Sequence, residues 1–438
     1  MKRRSFLKGI GAGAAAATSA LPDLAAAGGE SAQRPNILLI LSDDVGREVL
    51  GSYGGQSYLT PHLDSLAEDG LRFTHCYSCP VCFPSRVKIM TGRYEFRYPL
   101  KWGQWPSGER TFAQTLRSAG YATAVAGKWQ LTLLKNNPDH AEELGFDESL
   151  LFGWHEGPRY HDPLVYENGN RRTLQGGYGP DAYSDFLIDF MKRQRGERPF
   201  FAYYSMALCH DVADDFSPPP PAGPGGEFRS YKSYRNRVHY MDDIIGKMMK
   251  ALERMGLRRN TVVLYVADNG TPHSCITDVR DGTYIKRPVV SLWKGQYVRG
   301  GKGELTDAGT RVPFIANWPG TTPAGEVCDD LVDFSDFMPT LAELADTSPH
   351  EDRPIDGRSF AAQLRGKRGN ARKWVFNQHG GNAWVRSQRW KLYRDGRLYD
   401  MREAPREKSP ISEGTDSTEA RDARRKLRAV FRDELEEF

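Results

Sequence analysis

Cysteine is scarce in this chain, with six residues in 438. Six scattered cysteines cannot build the dense disulfide framework that supports small secreted folds. Cys79 and Cys82 have C-x-x-C spacing, which suits a redox pair or half a zinc site, but no H-x-x-x-H pair accompanies them. We therefore expect the fold to depend on a hydrophobic core.

Long apolar runs and a large excess of charge are also lacking. After the N-terminal segment, no run approaches the ~18 apolar residues that a membrane-spanning helix needs. The formal net charge is +4, most of it within residues 1–27, so the remaining chain is nearly neutral. We expect no stable membrane span and no nucleic-acid partner, whereas a local pocket for a small anion is compatible with this balance.

The first 27 residues are typical of an export signal. Lys2, Arg3 and Arg4 precede a weakly apolar run rich in Gly and Ala, and three alanines at 25–27 offer a cleavage site. This pattern predicts a twin-arginine signal read by the twin-arginine export machinery. It also predicts a periplasmic or secreted location in a bacterium.

Strand-like and helix-like segments alternate along the rest of the chain. The apolar run Ile37–Leu41 is typical of a parallel strand that is buried on both faces. Further strands are predicted at 121–126, 199–208, 261–266 and 312–317, and helices at 60–70, 111–118, 181–194 and 231–255. This order predicts an α/β fold with a large, mostly parallel sheet flanked by helices.

The last part of the chain has a different pattern. Short aromatic and β-branched runs around Gly380-Gly381 and Asp395-Gly396 indicate antiparallel hairpins, and a charged helix is expected from residue 417. A single core rarely grows beyond ~250 to 300 residues. We predict a large domain at 34–370 and a small C-terminal antiparallel-sheet-plus-helix subdomain at 371–438.

Polar side chains directly follow several predicted strands, where ligands bind to parallel sheets. These residues are Asp43, Asp44, Lys128, His210, Asp268 and Asn269. The oxygen donors among them suit Ca²⁺ or Mg²⁺ better than zinc, although Asp-Asp and Asp-Asn-Gly are also ordinary turn sequences. The cationic side chains of Lys128 and His210, together with Arg86 and Lys302, would stabilise a tetrahedral oxyanion during its transfer.

The segment from Cys82 to Arg93, which begins Cys-Phe-Pro-Ser-Arg, resembles the signature of the sulfatase family. The resemblance runs from Arg34 to about Tyr399 and includes segments 35–44, 127–129, 268–270, 301–303 and 309–320. It implies an alkaline-phosphatase-like fold with the catalytic domain at 34–370. The implied reaction is hydrolysis of a sulfate ester on a glycan or small molecule.

The same resemblance implies roles for individual residues. Cys82 is converted to formylglycine by a formylglycine-generating enzyme, and the hydrated aldehyde attacks sulfur. The implied metal ligands are Asp43, Asp44, Cys82, Asp268 and Asn269, with Ca²⁺ preferred to Mg²⁺. The implied catalytic residues are Cys82, Arg86, Lys128, His210 and Lys302, of which His210 and Lys302 protonate the leaving alcohol.

Gln130 departs from the family pattern, which usually has His at this position. An amide cannot accept a proton, so one general base is missing, and His155 and His273 are the substitutes that the sequence offers. Two other functions stay open. One is a formylglycine-dependent phosphonate monoester or phosphodiester hydrolase, and the other is a catalytically silent carbohydrate-binding relative, which the retained Cys82 and cations disfavour.

Overall fold

The computed structural model describes residues 34–153, 155–211, 233–281, 283–349, 353–402 and 407–435. These residues belong to one compact unit, Arg34–Phe438. The predicted export signal at 1–27 lies outside them. Among the described residues, no helix combines the length and the apolar character that crossing a bilayer requires.

The secondary structure alternates between strands and helices over most of the chain. The strands are β1 (Asn36–Ser42), β2 (Leu71–Tyr77), β3 (Ala122–Lys128), β4 (Glu148–Phe152), β5 (Leu164–Glu167), β6 (Asn170–Thr173), β7 (Phe200–Ser205), β8 (Thr261–Ala267), β9 (Ser274–Arg280), β10 (Thr283–Pro288), β11 (Val290–Trp293), β12 (Gln296–Arg299), β13 (Arg311–Asn317), β14 (Glu326–Asp333), β15 (Val375–His379), β16 (Asn382–Arg386), β17 (Trp390–Tyr393) and β18 (Leu398–Asp400). The α-helices are α1 (Pro61–Glu68), α2 (Cys82–Thr91), α3 (Phe112–Ser118), α4 (His140–Glu143), α5 (Gly179–Arg193), α6 (Tyr234–Arg254), α7 (Asp307–Thr310), α8 (Phe337–Leu344), α9 (Ala361–Leu364) and α10 (Thr418–Asp433).

A ten-stranded sheet forms the centre, in the order β14-β2-β13-β8-β1-β7-β3-β4-β5-β6. The five strands from β8 to β4 are parallel, and β14 is parallel to β2. Strand β13 runs antiparallel to both of its neighbours, and β5 and β6 are antiparallel additions at one side. The predicted α/β class with a large sheet flanked by helices is confirmed, with antiparallel strands outside the parallel centre.

Apolar sequence explains the central strands. Every residue of β1, β3, β7 and β8 is buried, as expected for strands covered on both faces. Helices α1, α5 and α6 pack together against the sheet, and α2, α3 and α8 form a second packed group. Burial of each large aliphatic side chain contributes about 1.5–3 kcal/mol, so the centre of the sheet provides a rigid support for the residues at its edge.

The predicted small C-terminal sheet and helix are also present. Strands β15 to β18 form an antiparallel sheet, and the tight turn at Gly380-Gly381 uses two residues with positive φ. Helix α10 packs on strands β16 to β18, and the Ser417 side chain caps its first turn by accepting from the backbone N–H of Ala420. A boundary at residues 370–371 stays a prediction.

Candidate active site

The register of two parallel strands brings the acidic residues together. Ser42 of β1 pairs with Ala267 of β8, so the residues that follow both strands leave the sheet side by side. Asp44 accordingly donates its backbone N–H to Asp268 Oδ1 at 3.1 Å. Asp43, Asp44 and Asp268 therefore lie together at one edge of the sheet, as predicted.

Cys82 lies at the first position of α2, next to these carboxylates. Its Sγ is 3.3 Å from Asp43 Oδ1 and 3.8 Å from Asp44 Oδ1. One ligand atom from each of Asp43, Asp44, Cys82 and Asp268 lies within 4.8 Å of the others, and all four side chains are buried. Pro84 is tolerated in this first helical turn because its missing N–H would have no intrahelical partner.

Arg86 and Lys128 surround the carboxylates from two other elements. Arg86 is four residues after Cys82 and therefore lies on the same face of α2; its NH2 donates to Asp268 Oδ2 at 2.8 Å. Lys128, the last residue of β3, donates from Nζ to Asp43 Oδ2 at 2.5 Å. Both cations are at least 97% buried, so these ion pairs are shielded from water.

Lys302, Asn269 and His210 complete the cluster around Asp44. Lys302 Nζ is 2.6 Å from Asp44 Oδ1, and Asn269 Nδ2 donates to the same oxygen at 2.7 Å. His210 Nε2 is 4.0 Å from Asp44 Oδ2. All of the sequence-predicted site residues thus lie in one cluster, although strand β7 ends at Ser205 and not at 208 as predicted, so His210 comes from the loop after the strand.

Close charges shift the pKa values of this cluster in opposite directions. Burial alone would raise the pKa of Asp43, but the positive charges of Lys128, Arg86 and Lys302 hold it below its usual range. Burial and the charge of Asp43 raise the pKa of Asp268 to about 6. Two carboxylates that share a site repel each other, and a bound cation would relieve this repulsion.

The thiol of Cys82 is poorly suited to act as a nucleophile itself. Burial and the negative charges of Asp268 and Asp43 raise the pKa of Cys82 well above its ordinary value. The thiolate, which is the reactive form, is therefore disfavoured at neutral pH.

Three residues that the sequence analysis missed hold the cluster in position. Ser205 accepts a hydrogen bond from Arg86 NH1 and donates to the Lys128 carbonyl at 2.6 Å. Tyr234 donates to the Asp44 carbonyl at 2.6 Å, and Tyr160 donates to the His210 carbonyl at 2.6 Å. The only sequence signal was for Ser205, a hydroxyl near the end of an apolar strand.

His155 and His273, the candidate substitutes for the missing histidine, are more exposed to solvent than Gln130. Gln130 is 8% exposed, and its Oε1 is buried without a hydrogen-bond partner among the described residues. His155 is exposed. His273 is half-exposed and pairs with Glu304, with 3.4 Å between Nε2 and Oε1.

The donor set fits a hard divalent cation. Asp43, Asp44 and Asp268 are at most 1% exposed, and Asn269 has a buried Oδ1 that no described residue satisfies. Carboxylate and amide oxygens are the ligands that Ca²⁺ and Mg²⁺ prefer. A dication here would neutralise the carboxylates that now accept from Lys128 and Lys302, and it would free both ammonium groups to bind an anion.

Sequence and structure comparisons agree with this chemistry. Residues 35–347 match the family described as Sulfatase. Human N-acetylgalactosamine-6-sulfatase is 30% identical over 414 residues, which cover 83% of this chain and 74% of the human protein.

Two solved structures share the fold. A protein in complex with its substrate D-glucosamine-2-N,6-O-disulfate matches with a TM-score of 0.71 and 20% identity over 92% of this chain and 99% of that protein. The phosphonate monoester hydrolase of Agrobacterium radiobacter matches with a TM-score of 0.62 and 18% identity over 92% and 96%. At such identities the likeness establishes only the fold, whereas the match over residues 35–347 establishes the family. The chain therefore belongs to the sulfatase family of sulfuric ester hydrolases.

Proposed function

We propose that this sulfatase removes sulfate ester groups from a carbohydrate, with formylglycine made from Cys82 as the nucleophile and Ca²⁺ as the bound cation. The observation that carries the proposal is the position of Cys82, which lies within 4.8 Å of three buried carboxylates. A thiol at this position is poorly reactive because its pKa is raised. Conversion to an aldehyde hydrate would instead place a hydroxyl where a cation can activate it.

The number of protein oxygens favours calcium over magnesium. Mg²⁺ usually keeps several water ligands, whereas Ca²⁺ accepts six to eight oxygens in irregular geometry. Asp43, Asp44, Asp268 and Asn269 would supply a largely protein-built coordination sphere. When bound, Ca²⁺ would lower the pKa of the aldehyde-hydrate hydroxyl and stabilise charge on the sulfate oxygens.

The chain's own cations would bind and orient the sulfate group. Lys128 contacts Asp43 and Lys302 contacts Asp44. Each lysine would hold a sulfate oxygen and stabilise the charge that spreads over the sulfate oxygens during transfer. Arg86 shares a helix face with Cys82 and is anchored to Asp268 and Ser205. It would therefore fix the direction in which the modified side chain points.

Lys302 and His210 are the proposed proton source for the leaving alcohol. Although burial acts to lower it, the Asp44 carboxylate raises the pKa of Lys302. Burial and the charge of Lys302 lower the pKa of His210, so the proton resides on Lys302 before substrate binds. A sulfate anion beside both groups would raise the pKa of His210. Either Lys302 or His210 could then donate the proton to the leaving oxygen.

A carbohydrate substrate is supported by the names of relatives. The human relative is an N-acetylgalactosamine-6-sulfatase, and one structural match was solved with its substrate D-glucosamine-2-N,6-O-disulfate. The rival function, hydrolysis of phosphonate monoesters, is represented among proteins of the same fold. A silent carbohydrate-binding role is disfavoured because every candidate catalytic cation lies beside the carboxylate cluster.

The test is to produce the protein with and without a formylglycine-generating enzyme. We expect the mature form to have a Cys82 peptide in which a carbonyl oxygen replaces the thiol and one hydrogen, to contain calcium, and to hydrolyse sugar or aryl sulfates. The unmodified protein is the matched control, and Cys82→Ala should lose roughly 10³-fold or more in kcat. Full activity of the unmodified thiol form would overturn the proposal, and preferential turnover of aryl phosphonates would favour the rival.

A further inference from the structure

A cavity outside the catalytic cluster lies at the same edge of the sheet. It has a volume of about 540 Å³, which is in the range of sites that hold small ligands. Its walls come from the segment after β1, the start of β13, the β11–β12 hairpin and residues 300–308. Because β13 is next to β8 in the sheet, this cavity adjoins the residues that follow β1 and β8.

Lys302 connects the cavity to the catalytic cluster. Gly300 and Glu304 line the cavity. Lys302 lies between them in sequence, and its side chain contacts Asp44 of the catalytic cluster. The backbone N–H of Lys302 donates to the Thr271 carbonyl at 3.0 Å. A ligand that fills the cavity and a sulfate group held by Lys302 would therefore both flank the segment 300–304.

More cations than carboxylates line the cavity: Arg47, Arg299, Arg311 and Lys408 against Glu48, Glu304 and Asp307. No carboxylate of the described residues lies within ion-pair distance of Arg47 or Arg299, both of which line the cavity; the Arg47 guanidinium stacks on the Trp293 ring at 5.4 Å. By contrast, Asp307 is paired with Arg386 at 2.8 Å and with Arg311 at 3.3 Å. Two guanidinium groups are thus available to an anion.

The remaining walls suit a sugar ring. Tyr297 is 76% exposed at the mouth of the cavity, and a flat aromatic face can pack against a pyranose. Glu48 lines the cavity and is 8% exposed, and its Oε1 has no hydrogen-bond partner in the part of the chain that the structure describes. A sugar hydroxyl would satisfy this buried acceptor.

We propose that this cavity is a subsite for a second, negatively charged sugar unit, adjacent to the unit that carries the sulfate ester. The inference rests on the proposed function and narrows its substrate to an anionic oligosaccharide or polysaccharide. The anionic group is a sulfate or a carboxylate, because arginine binds either one through paired hydrogen bonds. A small aryl sulfate would occupy only the catalytic cluster.

The experiment compares substrates that do and do not reach the cavity. Tetrasaccharides of chondroitin 6-sulfate carry sulfates and carboxylates, those of κ-carrageenan carry sulfates alone, and p-nitrophenyl sulfate carries no sugar. We expect Arg299→Gln and Tyr297→Ala to raise KM for an anionic tetrasaccharide at least about fivefold and to leave kcat/KM for p-nitrophenyl sulfate unchanged. The loss should shrink in high salt, which screens exposed charges.

Two matched variants and a binding measurement separate the outcomes. Arg259→Gln and Tyr284→Ala alter an exposed arginine and a half-exposed tyrosine outside the cavity and should change neither substrate. Equal losses on all substrates, or no loss on tetrasaccharides, would overturn the subsite while the sulfatase activity stands. If the mature enzyme cleaves no sulfate ester, the proposed function fails. Calorimetry then still tests the subsite. Tetrasaccharide binding that Arg299→Gln weakens would support it, and binding that Arg299→Gln leaves unchanged would overturn it.

Discussion

Gln130 lies two residues after Lys128, where the sulfatase pattern has a histidine. Its backbone has a φ of +57°, a conformation that histidine also adopts more readily than most residues. Its buried Oε1 has no partner among the described residues, so the side chain can accept a hydrogen bond from a ligand. It cannot take a proton. After transfer, the second hydroxyl of the sulfated aldehyde hydrate must lose its proton so that the C–O bond to sulfate breaks and the aldehyde re-forms, and we infer that this proton removal is slow in this enzyme.

Replacing Gln130 tests this inference. Gln130→His should raise steady turnover roughly tenfold, because a general base commonly contributes 10²–10⁴-fold, and should shrink an initial burst of alcohol. Stopped-flow release of a chromogenic alcohol measures both quantities. Gln130→Asn retains the amide and should give no increase. A wild-type enzyme without a burst, together with a slower Gln130→His variant, would show that Gln130 positions the substrate.

At the scale of elements, continuous apolar runs were sufficient to predict the central strands. The run from Ile37 to Leu41 and the run from Val262 to Val266 each became a strand whose residues are all buried. Because the two strands are parallel and adjacent, the acidic residues after them had to meet. This is why the acidic residues of the candidate site could be predicted from strand ends, whereas Cys82 was identified only through the family resemblance.

Strands without such runs were missed for physical reasons. In β2 the alternation of apolar and polar residues is interrupted at Thr74-His75. Strands β6 and β10 are almost wholly exposed, so no apolar period marks them. The end of β7 was misplaced because Met206, Ala207 and Leu208 are buried but form a loop. From the sequence alone, an apolar loop that tertiary packing buries cannot be distinguished from the continuation of a buried strand.

The contact between α1 and α6 depends on a buried carboxylate. Asp242 of α6 accepts from the backbone N–H groups of His62 and Leu63 in the first turn of α1, at 3.0 and 2.8 Å. Burial raises the pKa of Asp242 to about 7. The folded chain therefore binds this proton more tightly than the unfolded chain, whose aspartates titrate near ~4. The stability that protonation provides is lost as the pH rises from about 4 through 7.

Asp242→Asn should remove this pH dependence. Relative to wild type, the variant should gain on the order of 1–3 kcal/mol in the free energy of unfolding between pH 5 and pH 8. Urea denaturation at both pH values provides the measurement. Asp189→Asn, which replaces an exposed carboxylate on α5, is the control. An equal effect of Asp242→Asn at both pH values would mean that the Asp242 carboxyl group does not titrate in this range.

At the scale of the whole molecule, the chain is built to fold without disulfides. All six cysteines are free thiols, and five of them are buried. The large sheet and its helices depend instead on apolar burial and on buried ion pairs such as Asp307 with Arg386. Such a protein can complete its fold in a reducing compartment, and this agrees with the twin-arginine pattern at its N-terminus.

We therefore propose that the folded enzyme is exported through the twin-arginine route. Replacing Arg3 and Arg4 together by Lys should trap precursor in the cytoplasm, because the machinery reads the arginine pair and not its charge alone. Cell fractionation and immunoblotting would measure the distribution, and N-terminal sequencing of the exported form should begin near residue 28. Lys2→Gln, which removes a neighbouring charge but keeps both arginines, should leave export intact. Normal export of the double variant would exclude this route, and the location would then have to depend on a signal other than the arginine pair.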